Sequence, residues 1–310
     1  MEILWLAVGL ALLCGGAELL VRGTVGIASA CGVSPLVIGL TLVAAATSSP
    51  ELVVSIQAAL DNRGEVSVGN VVGSNICNIA LILGASALVR PLKVERQLLR
   101  FDGPVLLAVS VAFAAIGMLL GGIGRIVGML FLAALAVYTV RIVAISRREK
   151  KLAHAAAEIP VVKGGVAVAI VLSLAGLGGL VLGGKLLVDA AVEIGKFCGL
   201  SEAVIGLTIV AAGTSMPEFA ASLVAAWRGQ SDIAIGNVIG SNIFNILGIM
   251  GAAPLLRPVV CPAISPVDWA VMVALTLMLL PLMRSGSVIN RAEGGLLLAS
   301  YAGYTAYLIW

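Results

Sequence analysis

The chain has 310 residues, of which 60% are hydrophobic and 11% are charged, and its mean hydropathy is +1.13. Because an average soluble domain has about 25% charged residues, this composition excludes a water-soluble globular protein and predicts a polytopic membrane protein. The formal net charge of +3 comes from loop residues that orient such a protein, so it argues against a nucleic-acid partner.

Ten apolar segments are long enough to cross a bilayer as helices, because a hydrocarbon core of about 30 Å needs about 20 apolar residues. The predicted spans cover residues 2–22, 35–60, 66–89, 103–120, 125–145, 162–190, 202–227, 232–256, 267–283 and 292–309. Five spans fall in each half of the chain. We therefore expect an all-α fold of ten transmembrane helices.

A repeated sequence relates the two halves. VIGLTLVAAATSSPE at 37–51 returns 167 positions later as VIGLTIVAAGTSMPE at 204–218, with twelve of fifteen positions identical. GNVVGSNICNI at 69–79 returns at the same offset as GNVIGSNIFNI at 236–246, with nine of eleven identical. Because five spans is an odd number, the second copy crosses the membrane in the opposite sense. The halves are therefore predicted to be inverted repeats.

The repeat divides the chain into residues 1–145, a linker at 146–161, and residues 162–310. With the linker inside the cell, fourteen of the nineteen basic side chains fall on the inner face and five on the outer face. That bias follows the positive-inside rule and predicts that the linker is cytoplasmic and that both termini are extracellular. The linker is too short to fold as a domain of its own.

Each repeat buries one carboxylate, Glu51 or Glu218, deep inside an apolar span. An ionisable side chain at that depth costs several kcal/mol unless it faces a cavity or a bound partner. Neither acid has a basic residue within one helical turn, so a purely structural role is a poor explanation. The duplicated acids predict a cation site at the interface of the repeats.

Other oxygen-bearing side chains stand near the acids at helical spacing. Residues four apart share a helix face, and four such pairs occur: Thr47 with Glu51, Thr214 with Glu218, Ser74 with Asn78, and Ser241 with Asn245. Pro50 and Pro217 obstruct the carbonyls four residues back and free them beside the acids. Calcium takes six to eight oxygen ligands of these kinds, and sodium is another hard cation that would use the same set.

Several neighbouring residues also have structural explanations. The two repeated segments contain four further asparagines that either bond between helices or contact the ion, namely Asn70, Asn75, Asn237 and Asn242. Their glycines have the small-xxx-small spacing of closely packed helices.

Six more charged residues are expected to be structural. The pairs Glu18 with Arg22 and Lys185 with Asp189 fit ion pairs one helical turn apart. Asp102 and Asp268 stand at the starts of predicted spans, where they fit helix caps or first-turn charges.

The motifs ending in TSSPE and TSMPE, with the two GNVxGSNIxNI segments, resemble the alpha repeats of the sodium/calcium exchanger family, within the cation/calcium antiporter superfamily. The resemblance implies two inverted five-helix halves, with the second, third, seventh and eighth helices forming the ion site. It implies alternating access, in which the first and sixth helices slide as a gating bundle. The implied ion ligands are Thr47, Ser48, Glu51, Ser74, Asn78, Thr214, Ser215, Glu218, Ser241 and Asn245, together with the backbone carbonyls of Ala44 and Ala211.

Two positions depart from the family pattern. Many exchangers have an aspartate where this chain has Asn245, so the site here has one acid fewer and is more symmetric. Ala46 stands where the motif usually has glycine, as it does at Gly213, and stiffens the break in the second helix. Two ionised carboxylates balance one calcium or two sodium ions, so the coupling ratio stays open.

The sequence thus predicts a secondary active antiporter in the cell membrane that exchanges sodium for calcium, not an enzyme, and without a cofactor. A proton-coupled calcium antiporter and a potassium-dependent sodium/calcium exchanger are alternatives that would use the same acids. A cation channel is a further alternative, although channels usually arrange ligands in rings along a pore. The expected partners are calcium ions, sodium ions and the lipid bilayer, and the oligomeric state stays open.

Five cysteines without metal-ligand spacing fit small buried thiols.

Overall fold

The computed structural model describes residues 2–153, 165–197, 211–261 and 264–309. Nearly all of these residues are helical, so the all-α prediction is confirmed for the described part of the chain. Half of the predicted linker, residues 154–161, lies outside it.

The first half contains α1 (Glu2–Cys31), α2 (Pro35–Thr47), α3 (Ser49–Leu60), α4 (Gly64–Val89), β1 (Leu92–Lys93), α5 (Leu98–Leu120), β2 (Gly122–Ile123) and α6 (Arg125–Ala153). The second half contains α7 (Gly165–Phe197), α8 (Ala211–Thr214), α9 (Met216–Trp227), α10 (Ser231–Leu256), β3 (Val259–Val260), α11 (Pro266–Arg284), β4 (Val288–Ile289) and α12 (Arg291–Ile309).

Among the described residues, seven helices are long and apolar enough to cross a membrane, and eight spans result if the bent pair α2 and α3 counts as one. The chain is therefore a helical multi-pass membrane protein. The span predicted at 202–227 lies partly outside the described residues. α12 occupies the last predicted span but is not among the seven. The arrangement of ten transmembrane helices in two repeats stays a prediction.

Two helices form the centre of the molecule. In the apolar stretches of α10 and α4, 94% and 78% of the residues are buried, against 22% in α6 and α7. These central helices carry the two GNVxGSNIxNI segments. The polar residues of the repeat are therefore placed away from lipid.

The second predicted span is broken at Ser48, where α2 and α3 meet at an angle of 48°. Ser215 interrupts the second repeat at the equivalent position between α8 and α9, with almost the same backbone angles. Pro50 and Pro217 follow in the first turns of α3 and α9, where a missing amide hydrogen costs nothing. Each helix is therefore interrupted two residues before its proline.

The two halves are interlocked at both ends of the helices. β1 pairs with β4 and β2 with β3, so each small sheet takes one strand from each half. Arg90 Nη1 donates to the carbonyl of Trp227 at 3.5 Å, and Arg257 Nη1 donates to the carbonyl of Leu60 at 3.2 Å. Each arginine therefore caps the last turn of the broken helix of the opposite half.

Glycines bring the central helix α10 against α2. A Cβ added at Gly236 would lie 2.9 Å from the carbonyl oxygen of Leu36, and one at Gly240 would lie 2.5 Å from that of Leu40. The predicted small-xxx-small packing is confirmed for this repeat. By the 167-residue offset, the corresponding partners in the other repeat fall at 203–207, outside the described residues.

The structure corrects the interpretation of Asp102. Its helix begins earlier, at Leu98, so Asp102 is buried inside the helical run and makes no capping hydrogen bond. Its Oδ1 instead accepts a hydrogen bond from the Tyr138 hydroxyl at 3.0 Å. Asp268 lies in the first turn of α11 as expected, and its Oδ1 accepts from the Tyr304 hydroxyl at 2.9 Å.

One of the two predicted ion pairs is present. Glu18 and Arg22 form an ion pair on α1. The expected pair of Lys185 with Asp189 is wrong, because these described side chains make no ion pair and both line a cavity instead.

The helices α1 and α7 pack closely along much of their length. A Cβ added at Gly16 of α1 would lie 2.7 Å from the amide nitrogen of Leu180 and 2.8 Å from the carbonyl oxygen of Gly176 on α7. A Cβ added at Gly9 would lie 2.9 Å from the carbonyl oxygen of Gly183. Backbone therefore meets backbone, with no room for side chains between the two helices.

We expect Gly16→Ala to lower the free energy of unfolding in detergent by about 1–3 kcal/mol, because overpacking forces backbone shifts. The control is Gly15→Ala, since an added Cβ there meets nothing within 4 Å and alanine favours a helix by about 1 kcal/mol over glycine. Denaturant titration of both variants measures the difference. Equal stability of the two variants would contradict the close packing of α1 on α7.

Candidate cation-binding site

Both predicted acids lie just after the helix breaks. Glu51 is in the first turn of α3 and Glu218 in the first turn of α9. Each residue is only 1% exposed to solvent. The positive end of a helix dipole favours a carboxylate in the first turn, which partly offsets the cost of burial.

Each glutamate is held by a serine from the other half of the chain. Ser48 Oγ donates to Glu218 Oε1 at 2.8 Å, and Ser215 Oγ donates to Glu51 Oε1 at 3.1 Å. Both serines occupy the break itself, so the interrupted helices point these hydroxyls across the interface. The two contacts are equivalent under the 167-residue offset, and they join the repeats at one place.

The second carboxylate oxygen of each acid has no hydrogen-bond partner among the residues that the structure describes. Glu51 Oε2 and Glu218 Oε2 are both buried and unpaired, and so are the side-chain oxygens of Asn78 and Asn245. Leaving a buried acceptor unpaired costs about 1–3 kcal/mol, and more for a charged group. All four are acceptors, in equivalent pairs, so what they lack is a cation or a hydrogen-bond donor.

Four buried asparagines cross-link the central helices α4 and α10. Asn78 Nδ2 donates to Asn242 Oδ1 at 3.0 Å, and Asn245 Nδ2 donates to Asn75 Oδ1 at 3.1 Å. Both donors stand in π-helical turns, Cys77–Leu83 and Asn245–Ile249. The side-chain nitrogens of Asn78 and Asn245 each donate across the interface between α4 and α10. These bonds orient the two amides, so that their unpaired oxygens point away from the bonded asparagines.

Asn70 and Asn237 form hydrogen bonds with the backbone of the two acids. Asn70 Nδ2 donates to the backbone carbonyl of Glu51 at 3.2 Å, and Asn237 Nδ2 donates to that of Glu218 at 3.4 Å. The same nitrogens reach the hydroxyls of Ser55 and Ser222, both at 2.9 Å. In this arrangement Asn70 and Asn237 position the glutamates.

The two serines were missed by sequence reasoning. Ser55 and Ser222 lie outside the repeated segments defined above, but each stands four residues after its glutamate. That Glu-xxx-Ser spacing, present in both halves, is the signal that would have found them.

Two more expected ligands, Thr47 and Ser241, meet at a third, which is the backbone carbonyl of Ala44. Thr47 Oγ1 and Ser241 Oγ approach the carbonyl oxygen of Ala44 at 3.4 and 3.5 Å, which are long distances for hydrogen bonds. Thr47 also donates to Asn237 Oδ1 at 3.2 Å. The break at Ser48 places Thr47 at the end of α2 and Glu51 in the first turn of α3, so the two expected ligands belong to different helices.

The remaining expected ligands are placed less completely. Ser74 is buried in α4, and Ala211 belongs to the short helix α8. Thr214 ends α8 and lines a cavity of about 200 Å³ together with Pro50 and Pro217. Lys185 and Asp189 of α7 line the same cavity, so it joins the region of the helix breaks to a charged part of α7.

Electrostatics set what this arrangement can hold. The two carboxylates repel each other, and neither forms an ion pair with a described basic side chain. No group of three or more His, Cys, Asp or Glu side chains that could hold a metal occurs in the described residues. The available donors are thus two carboxylates with amide, hydroxyl and backbone oxygens, which suit hard cations rather than transition metals.

Comparisons with known proteins give a consistent result. The family model described as "Sodium/calcium exchanger protein" matches residues 1–144 and 168–310. The chain is 39% identical to the "Putative antiporter CaxA" of Alkalimonas amylolytica, over 99% of this chain and 98% of that protein. It is 33% identical to the "Sodium/calcium exchanger MaX1" of Methanosarcina acetivorans, over 98% of this chain and 97% of the relative.

A solved structure agrees over the same length. The sodium-calcium exchanger NCX_Mj, soaked with zero Na⁺ and Ca²⁺, superposes with a TM-score of 0.86 at 35% identity, over 99% of this chain and 98% of that one. Fold, repeated motifs and full-length similarity therefore agree, and the chain belongs to the sodium/calcium exchanger family, whose members are membrane antiporters rather than enzymes.

Proposed function

We propose that the chain is a secondary active antiporter that exchanges sodium for calcium across the cell membrane by alternating access. Glu51 and Glu218 bind either calcium or sodium ions, and no resident cofactor takes part. The observation that carries this proposal is the pair of buried carboxylates, each held by a serine of the other half and each left with one unpaired oxygen.

The proposed architecture is ten transmembrane helices in two inverted five-helix repeats. Residues 1–145 form the first repeat, 146–161 a cytoplasmic linker and 162–310 the second repeat. Three observations support this division: the 167-residue offset of the motifs, the equivalent breaks at Ser48 and Ser215, and the exchange of strands between the halves. The excess of basic residues on the linker side supports extracellular termini.

The proposed ion ligands surround the two glutamates. They are the side chains of Thr47, Ser48, Ser74, Asn78, Thr214, Ser215, Ser241 and Asn245 and the backbone carbonyls of Ala44 and Ala211. The unpaired side-chain oxygens of Asn78 and Asn245 support their inclusion. Asn75, Asn242, Asn70 and Asn237 act as positioning residues, because each side chain bonds to the site's own helices through one of its polar atoms.

Exchange follows from the cost of moving bare charge. Two unpaired carboxylates in an apolar surrounding cost several kcal/mol each, so the ion-free site is the species least able to pass between the two faces. One calcium ion or two sodium ions cancel both charges. Because calcium and sodium compete for the same oxygens, loading one ion requires release of the other, and transport in one direction is coupled to transport in the other.

The names of related proteins support sodium as the counter-ion. MaX1 is named a sodium/calcium exchanger, and NCX_Mj is a sodium-calcium exchanger that has been soaked with sodium, calcium and strontium. In this chain the oxygen donors near the two glutamates are hard ligands, and the same residue types supply them from both halves of the chain.

The coupling ion is tested by calcium uptake into proteoliposomes loaded with sodium, beside vesicles loaded with choline. Uptake that requires internal sodium supports the proposal. Uptake driven by an imposed pH gradient without sodium would instead establish proton coupling, and a requirement for potassium would establish the potassium-dependent alternative. Downhill calcium flux without any counter-ion would indicate a channel.

We expect Glu51→Gln and Glu218→Gln each to lower sodium-driven calcium uptake at least about 100-fold, since removing one charged partner from a buried site costs about 3–5 kcal/mol. The matched control is Glu65→Gln, which changes an exposed glutamate in the first turn of α4 and should leave uptake unchanged. Near-normal exchange by either site variant would contradict the assigned site.

We expect Ser48→Ala to weaken calcium binding about tenfold or more, because a hydrogen bond to a charged group contributes about 1.5–3 kcal/mol. The control is the adjacent Ser49→Ala, because the Ser49 hydroxyl donates to the carbonyl of Ala45 in its own half at 3.1 Å. Competition binding with radioactive calcium measures both variants. Equal affinities would show that the contact across the repeat interface does not contribute to the site.

A further inference from the structure

An ionic cluster joins α1 to the end of α9. Glu18 on α1 forms ion pairs with Arg22 on the same helix and with Arg228, which immediately follows α9. The Glu18 side chain is 20% exposed and that of Arg228 is 35% exposed, so the contact is partly shielded from water. It connects α1 to the helix that carries Glu218.

The other repeat carries the same three positions with every charge reversed. At the 167-residue offset, Glu18 corresponds to Lys185, Arg22 to Asp189, and Arg228 to Asp61. These three residues are described, yet no ion pair joins Lys185 to either aspartate. One cluster is therefore closed and its counterpart is open in the same structure.

The packing of the helices is asymmetric in the same way. α1 lies along α9, whereas in the described part of the chain α7 makes no comparable contact with α3, the equivalent helix of the first repeat. The cavity of about 200 Å³ lies on the open side, lined by Lys185 and Asp189 and reaching Pro50, Thr214 and Pro217 beside the ion site. One side therefore has the ion pair of Glu18 with Arg228, and the other has a cavity lined by Lys185.

The close glycine contacts make α1 and α7 a single body. Backbone atoms meet at Gly16 and at Gly9 without intervening side chains, so a shift of one helix carries the other with it. A shift that withdraws α1 from α9 would bring α7 toward α3, because the two repeats are related by inversion.

We propose that Glu18–Arg228 and Lys185–Asp61 are two alternative ion-pair latches, one holding each face of the antiporter closed. The inference rests on the proposed alternating access. In the structure the Glu18–Arg228 latch is closed, and the α7 cavity extends to Thr214 and Pro217 beside the site. In the opposite state Glu18 releases Arg228, Lys185 engages Asp61, and the site is reached from the other face.

The reversed charges suit their places in the membrane. The Glu18 cluster has two arginines and one acid, and the Lys185 cluster has two acids and one lysine, so their net charges are opposite. With the proposed topology, the positive cluster lies at the inner face, as the positive-inside rule favours. The negative cluster lies at the outer mouth, where it attracts cations.

The test measures accessibility instead of transport. Gly184 lines the same cavity, and an added Cβ there would come no closer than 3.7 Å to Met216, so Gly184→Cys should fit. In a background whose five native cysteines are replaced by alanine, a charged maleimide applied from the cavity side modifies this thiol at a rate that reports the accessible fraction.

We expect Arg228→Glu to slow modification about threefold, the scale of a partly exposed ion pair, because it opens the latch that is closed in the structure. Asp61→Lys removes the alternative latch and should raise the rate. The double variant Glu18→Arg with Arg228→Glu exchanges the charges and should restore the original rate. Arg22→Gln is the control: Arg22 moves together with Glu18, so its loss should leave the rate unchanged.

Two failures are distinguishable. If sodium and calcium change the modification rate but Arg228→Glu and Asp61→Lys leave it unaltered, the latches are refuted and alternating access stands. If the rate responds to neither ion, the proposed alternation itself fails. Shifts of the same sign in Arg228→Glu and Asp61→Lys would also overturn the latch proposal, since two alternative latches must act in opposite directions.

Discussion

The rest of the structure depends on the burial of two carboxylates that have no basic partner among the described side chains. Glu51 and Glu218 are almost wholly removed from solvent, repel each other, and each keep an oxygen without a hydrogen bond. A buried charge of this kind is stable only when paired or neutralised. The site therefore lacks either a cation or a proton, and binding of one or the other would account for a sequence that keeps ionisable groups in a membrane.

Duplication of the motif explains how one sequence pattern builds the whole site. Each half supplies a broken helix with its glutamate, and the hydroxyl for that glutamate comes from the other half. The same reciprocity recurs at the asparagine cross-links and at the arginines that cap the opposite broken helices. Neither half can complete these contacts alone. The site is symmetric in the two repeats, whereas the helix packing on its two sides differs. Access from alternating sides requires this combination.

Much of this site could be predicted from the sequence, because duplicated polar residues inside apolar spans have few explanations. The break at Ser48 was less predictable: proline indicated a kink, but a continuous helix put Thr47 beside Glu51, and only the structure shows the serine turning across the interface. Asp102 was misplaced because a π-helical turn extends its helix upstream. The absent Lys185–Asp189 pair depends on how α7 packs, which local spacing does not encode.

The central claim is that both repeats form one shared site, and the calcium-binding stoichiometry of the purified chain tests it most directly. Equilibrium binding of radioactive calcium in detergent, with increasing sodium, gives the number of ions bound per chain and whether sodium displaces them. The account predicts a single calcium ion per chain, released by sodium. Two equivalent calcium ions per chain, one for each glutamate, or binding unaffected by sodium, would contradict it.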